Sequence, residues 1–156
     1  MMKPDVKKAT PAAIAVLRQA TAISPSRKKA SDGLLPSRAH LKQNPNSDHN
    51  SGLAVDLTHD PAKGIDCADI FKQLQNDPRV SYLIFNHRIW TPQRGVDIYT
   101  GSNPHKNHIH ISIKENRSKD TSPWFAWLDR PVYKTADQAR LAALKIKPLP
   151  KKKVKK

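Results

Sequence analysis

The run His108–Ile113, HIHISI, constrains this chain more than any other stretch. Its strict alternation is that of a strand with one buried face. Ile109, Ile111 and Ile113 share one side and direct it to a core; His108, His110 and Ser112 share the other. Because the side-chain period is two, a slip of one residue would bury both histidines and expose all three isoleucines. The two imidazoles are therefore committed to one face, about 7 Å apart along the strand.

A second alternating run precedes it. In SDHNSGLAVD, residues 47–56, Leu53, Val55 and Leu57 (one residue further on) face one way, and Ala54 and Asp56 the other. If the two strands are neighbours with their aliphatic faces inward, Asp56 and His110 emerge on the same side of one sheet. His49, in the loop before the first strand, can fold over that side. Two imidazoles and a carboxylate form a common ligand set for catalytic zinc, with the fourth position left to water.

The rest of the chain supplies a frame for such a sheet. Thr10-Pro11 is a good helix start, since proline suits the first helical position, and Ile14, Val16, Leu17 and Ala20 give the helix an apolar side. Residues 24–48, with four prolines or glycines among Ser, Asn, Arg and Lys, predict a long ordered loop. DPAKG is a turn, and Asp66 caps a helix through about Gln75. Val80–Asn86, VSYLIFN, reads as a central strand, with His87 and Arg88 on the surface at its end. Trp90, Tyr99, Trp124 and Trp127 read as core or cleft walls, and TADQARLAALKI, from Thr135, as a further helix. The expected fold class is α+β: a small antiparallel sheet carrying the site, flanked by about three helices.

Charge and cysteine content narrow the function classes. The formal net charge is +15 over 156 residues, and the body stays basic without the lysine-rich end KIKPLPKKKVKK. A field of this sign favours polyanions such as nucleic acid, anionic headgroups or wall polymers. No helix-turn-helix, zinc-finger or aromatic RNA-binding signature accompanies it, so a nucleic-acid-associated protein is the lesser alternative. The single Cys67 excludes an intrachain disulfide framework and a multi-cysteine zinc site, and reads as a small buried residue on a helix. No stretch approaches the length of a membrane span, and AAIAVL at 12–17 reads as part of an amphipathic helix, not a signal peptide. Synthesis in the cytoplasm, with action in the periplasm or wall after release, is the expectation, and a monomer is expected.

SDHNSGLAVD matches at every defined place the S-x-H-x-x-G-x-A-x-D pattern of the zinc D,D-carboxypeptidase, D,D-dipeptidase and L-alanyl-D-glutamate endopeptidase family. That family includes the VanX/VanY-like enzymes and many phage endolysins, and shares its fold with the hedgehog signalling domain. HIH at 108–110 resembles its second element, a histidine ligand on a late strand. The wider text, SDGLLPSRAHLKQNPNSDHNSGLAVDLTHDP, RVSYLIFNHRIW and YTGSNPHKNHIHIS, resembles a phage and prophage subgroup, over roughly residues 31–113. The expected organisation is a zinc peptidase domain over 10–144, with the charged residues 1–9 read as flexible and the low-complexity, lysine-rich residues 145–156 as a basic disordered tail. The resemblance implies His49, Asp56 and His110 as zinc ligands and the peptide stem of peptidoglycan as substrate. The lysines of the tail read either as a solvated end or as a contact to anionic envelope surfaces. Gly52 then supplies a tight turn, Ser47 a loop hydrogen bond, and Ala54 room beside the metal.

One departure concerns the general base. Many members of that family carry an acid three residues before the last histidine ligand, and here the position is Asn107. Either His108 takes the role, with His105 of the preceding NPHK loop the weaker substitute, or the chemistry is lost and the domain binds wall fragments only. Arg38 is a candidate contact for an oxyanion or a substrate carboxylate; His40 and Asp32 lie in the same loop. His59 and Asp60 read as turn chemistry, with contact to a ligand as the minority reading.

Overall fold

A computed structural model describes residues 9–34 and 51–128. Five strands form one sheet: β1 (Ala54–Thr58), β2 (Val80–Phe85), β3 (Arg88–Thr91), β4 (Gly95–Ile98) and β5 (His108–Ile113). Their order across the sheet is β1-β5-β2-β3-β4 and every pairing is antiparallel. Two α-helices accompany them among the described residues, α1 (Pro11–Ile23) and α2 (Cys67–Gln73). The α+β class is as expected. The further helix expected from Thr135, and the lysine tail, lie outside the described residues.

The late strand β5 lies between β1 and β2, near the middle of the sheet, which is why its isoleucines are needed there. Val55, Leu57, Leu83, Ile109, Ile111 and Ile113 pack with residues of both helices, and all are at most 2% exposed. Burying each such side chain contributes roughly 1.5–3 kcal/mol relative to exposure. Slipping β5 by one residue would forfeit three of these contributions at once, so the register is held from below the sheet, by the core.

Both helices begin where capping chemistry places them. Thr10 accepts a hydrogen bond from the Ala13 amide (3.4 Å), with Pro11 at the first helical position. The same hydroxyl donates to Gly52 O (2.8 Å), and the Thr10 amide donates there too (3.1 Å). The start of α1 thereby pins the turn at Gly52, whose φ of 75° suits glycine. Asp66 caps α2 through the Ala68 amide (2.9 Å). Cys67 is fully buried at its start, and burial pushes its thiol up to about 12, as befits a core residue.

Two strands, β3 and β4, were not anticipated. Asn86 and His87, with φ of 49° and 67°, form a two-residue turn after β2, so the chain reverses where Val80–Asn86 was expected to run out into surface. A hairpin turn with both central residues at positive φ matches the twist of its strands. Asn-His there is a weaker sequence signal than Asn-Gly, and β3 and β4 are short. His87 and Arg88 are both exposed, as expected, and Arg88 is also the first residue of β3.

Trp124 and Phe125 close the core from the far end of the chain, each 1% exposed. The Trp124 indole donates to Ala12 O (3.1 Å), and Arg79 stacks on its ring, 3.5 Å from the centroid. Trp90 and Trp127 are partly buried against the same cluster.

Candidate functional site

The site grows from one rung of the β1–β5 ladder. Asp56 stands directly opposite His110. The Asp56 amide and carbonyl are both exchanged with Gly33 on the other side of β1 (2.8 and 3.0 Å). Asp56 and His110 are consequently a non-hydrogen-bonded pair, the kind in which antiparallel strands approach most closely, about 4.5 Å between Cα atoms. Their side chains meet on the face away from the core, with Asp56 Oδ1 3.3 Å from His110 Nδ1. His108, two residues earlier on that face, places Nε2 3.7 Å from Asp56 Oδ2.

His110 is buried, and its ring is held on two more sides. Nε2 lies 2.8 Å from the Ser112 hydroxyl, and Tyr82 of β2 stacks on the ring at 5.3 Å and 19°. Ser112 is fully buried, opposite Ala54 on β1. The small alanine expected beside the site thus faces the residue that holds His110.

The 99–107 loop brings a third imidazole. His105 has φ 59° and is fastened to the β2–β3 turn, its carbonyl accepting from the Asn86 amide (2.9 Å) while Pro104 O accepts from the His87 amide (2.9 Å). Its ring meets His108 edge-on at 4.8 Å, His110 at 5.7 Å and Tyr99 at 5.6 Å. Burial first, then the neighbouring imidazoles of His110 and His108, push His105 down to about 4. Since Nδ1 is 2.7 Å from Asn103 O, which can only accept, Nδ1 carries the proton and Nε2 the lone pair. Tyr99 is a wall of this cluster and not a core residue. A side chain at Gly101 would collide with the Tyr99 ring.

The remaining candidates separate cleanly. Asn107 is exposed, and its carbonyl accepts from the His59 amide (2.9 Å), extending the ladder past Thr58. His59 accepts from the Cys67 amide at Nδ1 (3.0 Å) and meets Phe85. Asp60 is buried, accepts from the Lys28 amide (2.8 Å) and turns the chain with Ile65. Asp32 is bound by buried Arg27 in two hydrogen bonds (2.7 and 3.0 Å) and by both the amide and hydroxyl of Thr58 (3.0 and 2.7 Å). Burial acts to raise its pKa, but the bonds from Arg27 and Thr58 outweigh it and hold the carboxyl below its ordinary value. Asp32, His59 and Asp60 are thus tied into the framework.

His49, Ser47, Arg38 and His40 lie outside the described residues. Of the three expected ligands the fold brings together two, Asp56 and His110, with His108 and His105 beside them. Among the described residues no three His, Cys, Asp or Glu side chains form a metal-holding group. The contributions of Tyr82, Gly33 and Ser112 escaped sequence reasoning. Only Ser112 had a signal there, as the third member of the His108–His110 face.

No curated protein and no solved structure matches the chain. A family model described as VldE, C-terminal domain, matches residues 6–110, from ahead of α1 through β1, α2 and the β2–β4 strands to His110 itself. That span is well over half of the sequence, and the chain belongs to the VldE C-terminal domain family.

Proposed function

We propose that the protein is a zinc-dependent peptidoglycan peptidase of the endolysin type, hydrolysing an amide bond of the wall's peptide stem. The observation that carries this reading is the Asp56–His110 pair. At 3.3 Å the separation is longer than a good hydrogen bond between these groups. The two donor atoms stand close enough for one ion to be shared between them. An anionic oxygen and an imidazole nitrogen are the donors that zinc takes, and the motif resemblance supplies His49 as the third.

Bound zinc would acidify a water and polarise the scissile carbonyl. The chain's own work is then to hold and move protons. Asp56 and His110 would hold the ion from opposing strands, whose register the core fixes. His108, on the same face and within 3.7 Å of Asp56, takes the proton from the attacking water and returns it to the leaving amine. His105, edge-on against His108 with its Nε2 free to accept, is the weaker alternative for that role. Asn107 contributes through its backbone, so the acid absent there is replaced from the strand's own face.

The basic composition suits an anionic envelope. No helix among the described residues is long and apolar enough to cross a membrane. The deciding experiment is a turbidity and product-mass assay on purified peptidoglycan, with and without a chelator. Chelator-sensitive release of a stem fragment names the bond; wall binding without release favours a domain that has lost catalysis; no effect on wall at any zinc concentration overturns the proposal.

A further inference from the structure

Ser112 is fully buried two residues beyond His110, on the same face of β5, with its hydroxyl 2.8 Å from His110 Nε2. An imidazole that binds a metal through one nitrogen carries a proton on the other, and the partner of that second nitrogen sets both tautomer and ring direction. Here Nδ1 faces Asp56, so Nε2 is the nitrogen that must carry the proton when Nδ1 acts as a ligand. A buried N–H requires an acceptor, and the hydroxyl stands in that position. Serine suits it because a hydroxyl both donates and accepts. Without metal it donates to Nε2 while Nδ1–H faces the carboxylate; with metal it rotates to accept. The stacked Tyr82 ring limits the remaining freedom of the imidazole plane.

We infer that Ser112 is a positioning residue, whose hydroxyl accepts from the Nε2–H of His110 when Nδ1 acts as a ligand and so holds the ring with Nδ1 aimed at an ion shared with Asp56. The inference rests on the reading of Asp56 and His110 as zinc ligands. It goes beyond that reading in assigning a role to a residue outside the ligand set.

The test compares the full-length parent, Ser112→Ala and Ser112→Thr by zinc competition against a chromophoric chelator, with the melting temperature of each metal-free protein alongside. Ser112→Ala should weaken zinc binding about 10–100-fold while the metal-free protein still melts cooperatively, at a lower temperature for the lost buried hydrogen bond, and Ser112→Thr, which keeps the hydroxyl, should restore most of the affinity. Long-range proton–nitrogen correlation on the zinc-loaded parent should place the proton on His110 Nε2. Unchanged zinc affinity in Ser112→Ala, or a proton on Nδ1 in the loaded parent, overturns the inference and leaves the metal reading standing. A fall in affinity matched by loss of the metal-free fold in both variants assigns Ser112 to packing and also overturns it. A parent that takes up no zinc overturns the metal reading itself, and this inference with it.

Discussion

Asp56 Oδ1 and His110 Nδ1 face each other at 3.3 Å across the narrow rung between β1 and β5. A carboxylate and a ring nitrogen brought this close need a proton or a cation between them. Asp56→Ala or His110→Ala should therefore remove zinc binding and wall lysis together, with the fold kept, since both side chains lie on the face away from the core. His49→Ala should do the same. Metal content and turbidity clearance measured on one preparation check this, and lysis retained in any of the three variants would sink the ligand assignment.

His108 and Asn107 are adjacent, yet they occupy different environments. His108 lies on the site face near Asp56, while Asn107 is exposed and acts through its carbonyl. His108→Ala is expected to lower turnover by roughly 10²–10⁴-fold, the range for loss of a general base, with zinc still bound. Asn107→Ala should leave turnover near that of the parent. The reverse pattern in single-turnover rates would move the base away from His108.

Asp32 gives the fold an acid-sensitive joint. It holds Arg27 and Thr58 together, with side-chain exposures of 1% for Arg27 and 13% for Asp32 in the ion pair. Asp32→Ala leaves a buried guanidinium without its carboxylate and should cost about 3 kcal/mol in urea unfolding. The folded pKa of Asp32 lies below 3.8, so the unfolded chain binds the proton more readily. Its stabilising contribution is accordingly present above the unfolded pKa and is lost as pH falls through the folded value. Stability measured from pH 6 down to 2 should fall less steeply in Asp32→Asn than in the parent; equal slopes would show that the pair is not the acid-sensitive element.

Arg79 fastens the later chain to the sheet. It is 4% exposed, binds Asp77 through two nitrogens (2.7 and 3.0 Å), donates to the carbonyls of Ser122 and Pro123 (2.7 and 3.0 Å), and lies over Trp124. Arg79→Lys keeps the charge but not the planar fork or the stacking. It should lose most of what Arg79→Ala loses, on the order of 3 kcal/mol, with Trp124 fluorescence shifting toward that of solvent-exposed indole. A lysine variant as stable as the parent would reduce this contact to simple charge.

The local sequence carried much of this protein. Alternation in HIHISI and LAVDL was enough to assign each side chain to a face, because a strand's period is two and aliphatic burial decides which face is inward. Thr10-Pro11 and Asp66 announced their helices, since an N-cap satisfies backbone groups within its own turn. Three matters needed the tertiary structure. The β2–β3 hairpin is turned by Asn86-His87, a weaker signal than Asn-Gly, and β3 and β4 are held by pairing with β2 and with each other. The roles of Asp32, Asp60 and Arg79 lie in contacts with residues up to 44 positions away, which no local pattern encodes. The nearness of Asp56 to His110 was decided last. Sequence placed both on one face, but Gly33, by taking the Asp56 backbone hydrogen bonds on the outer side of β1, made their rung the narrow one.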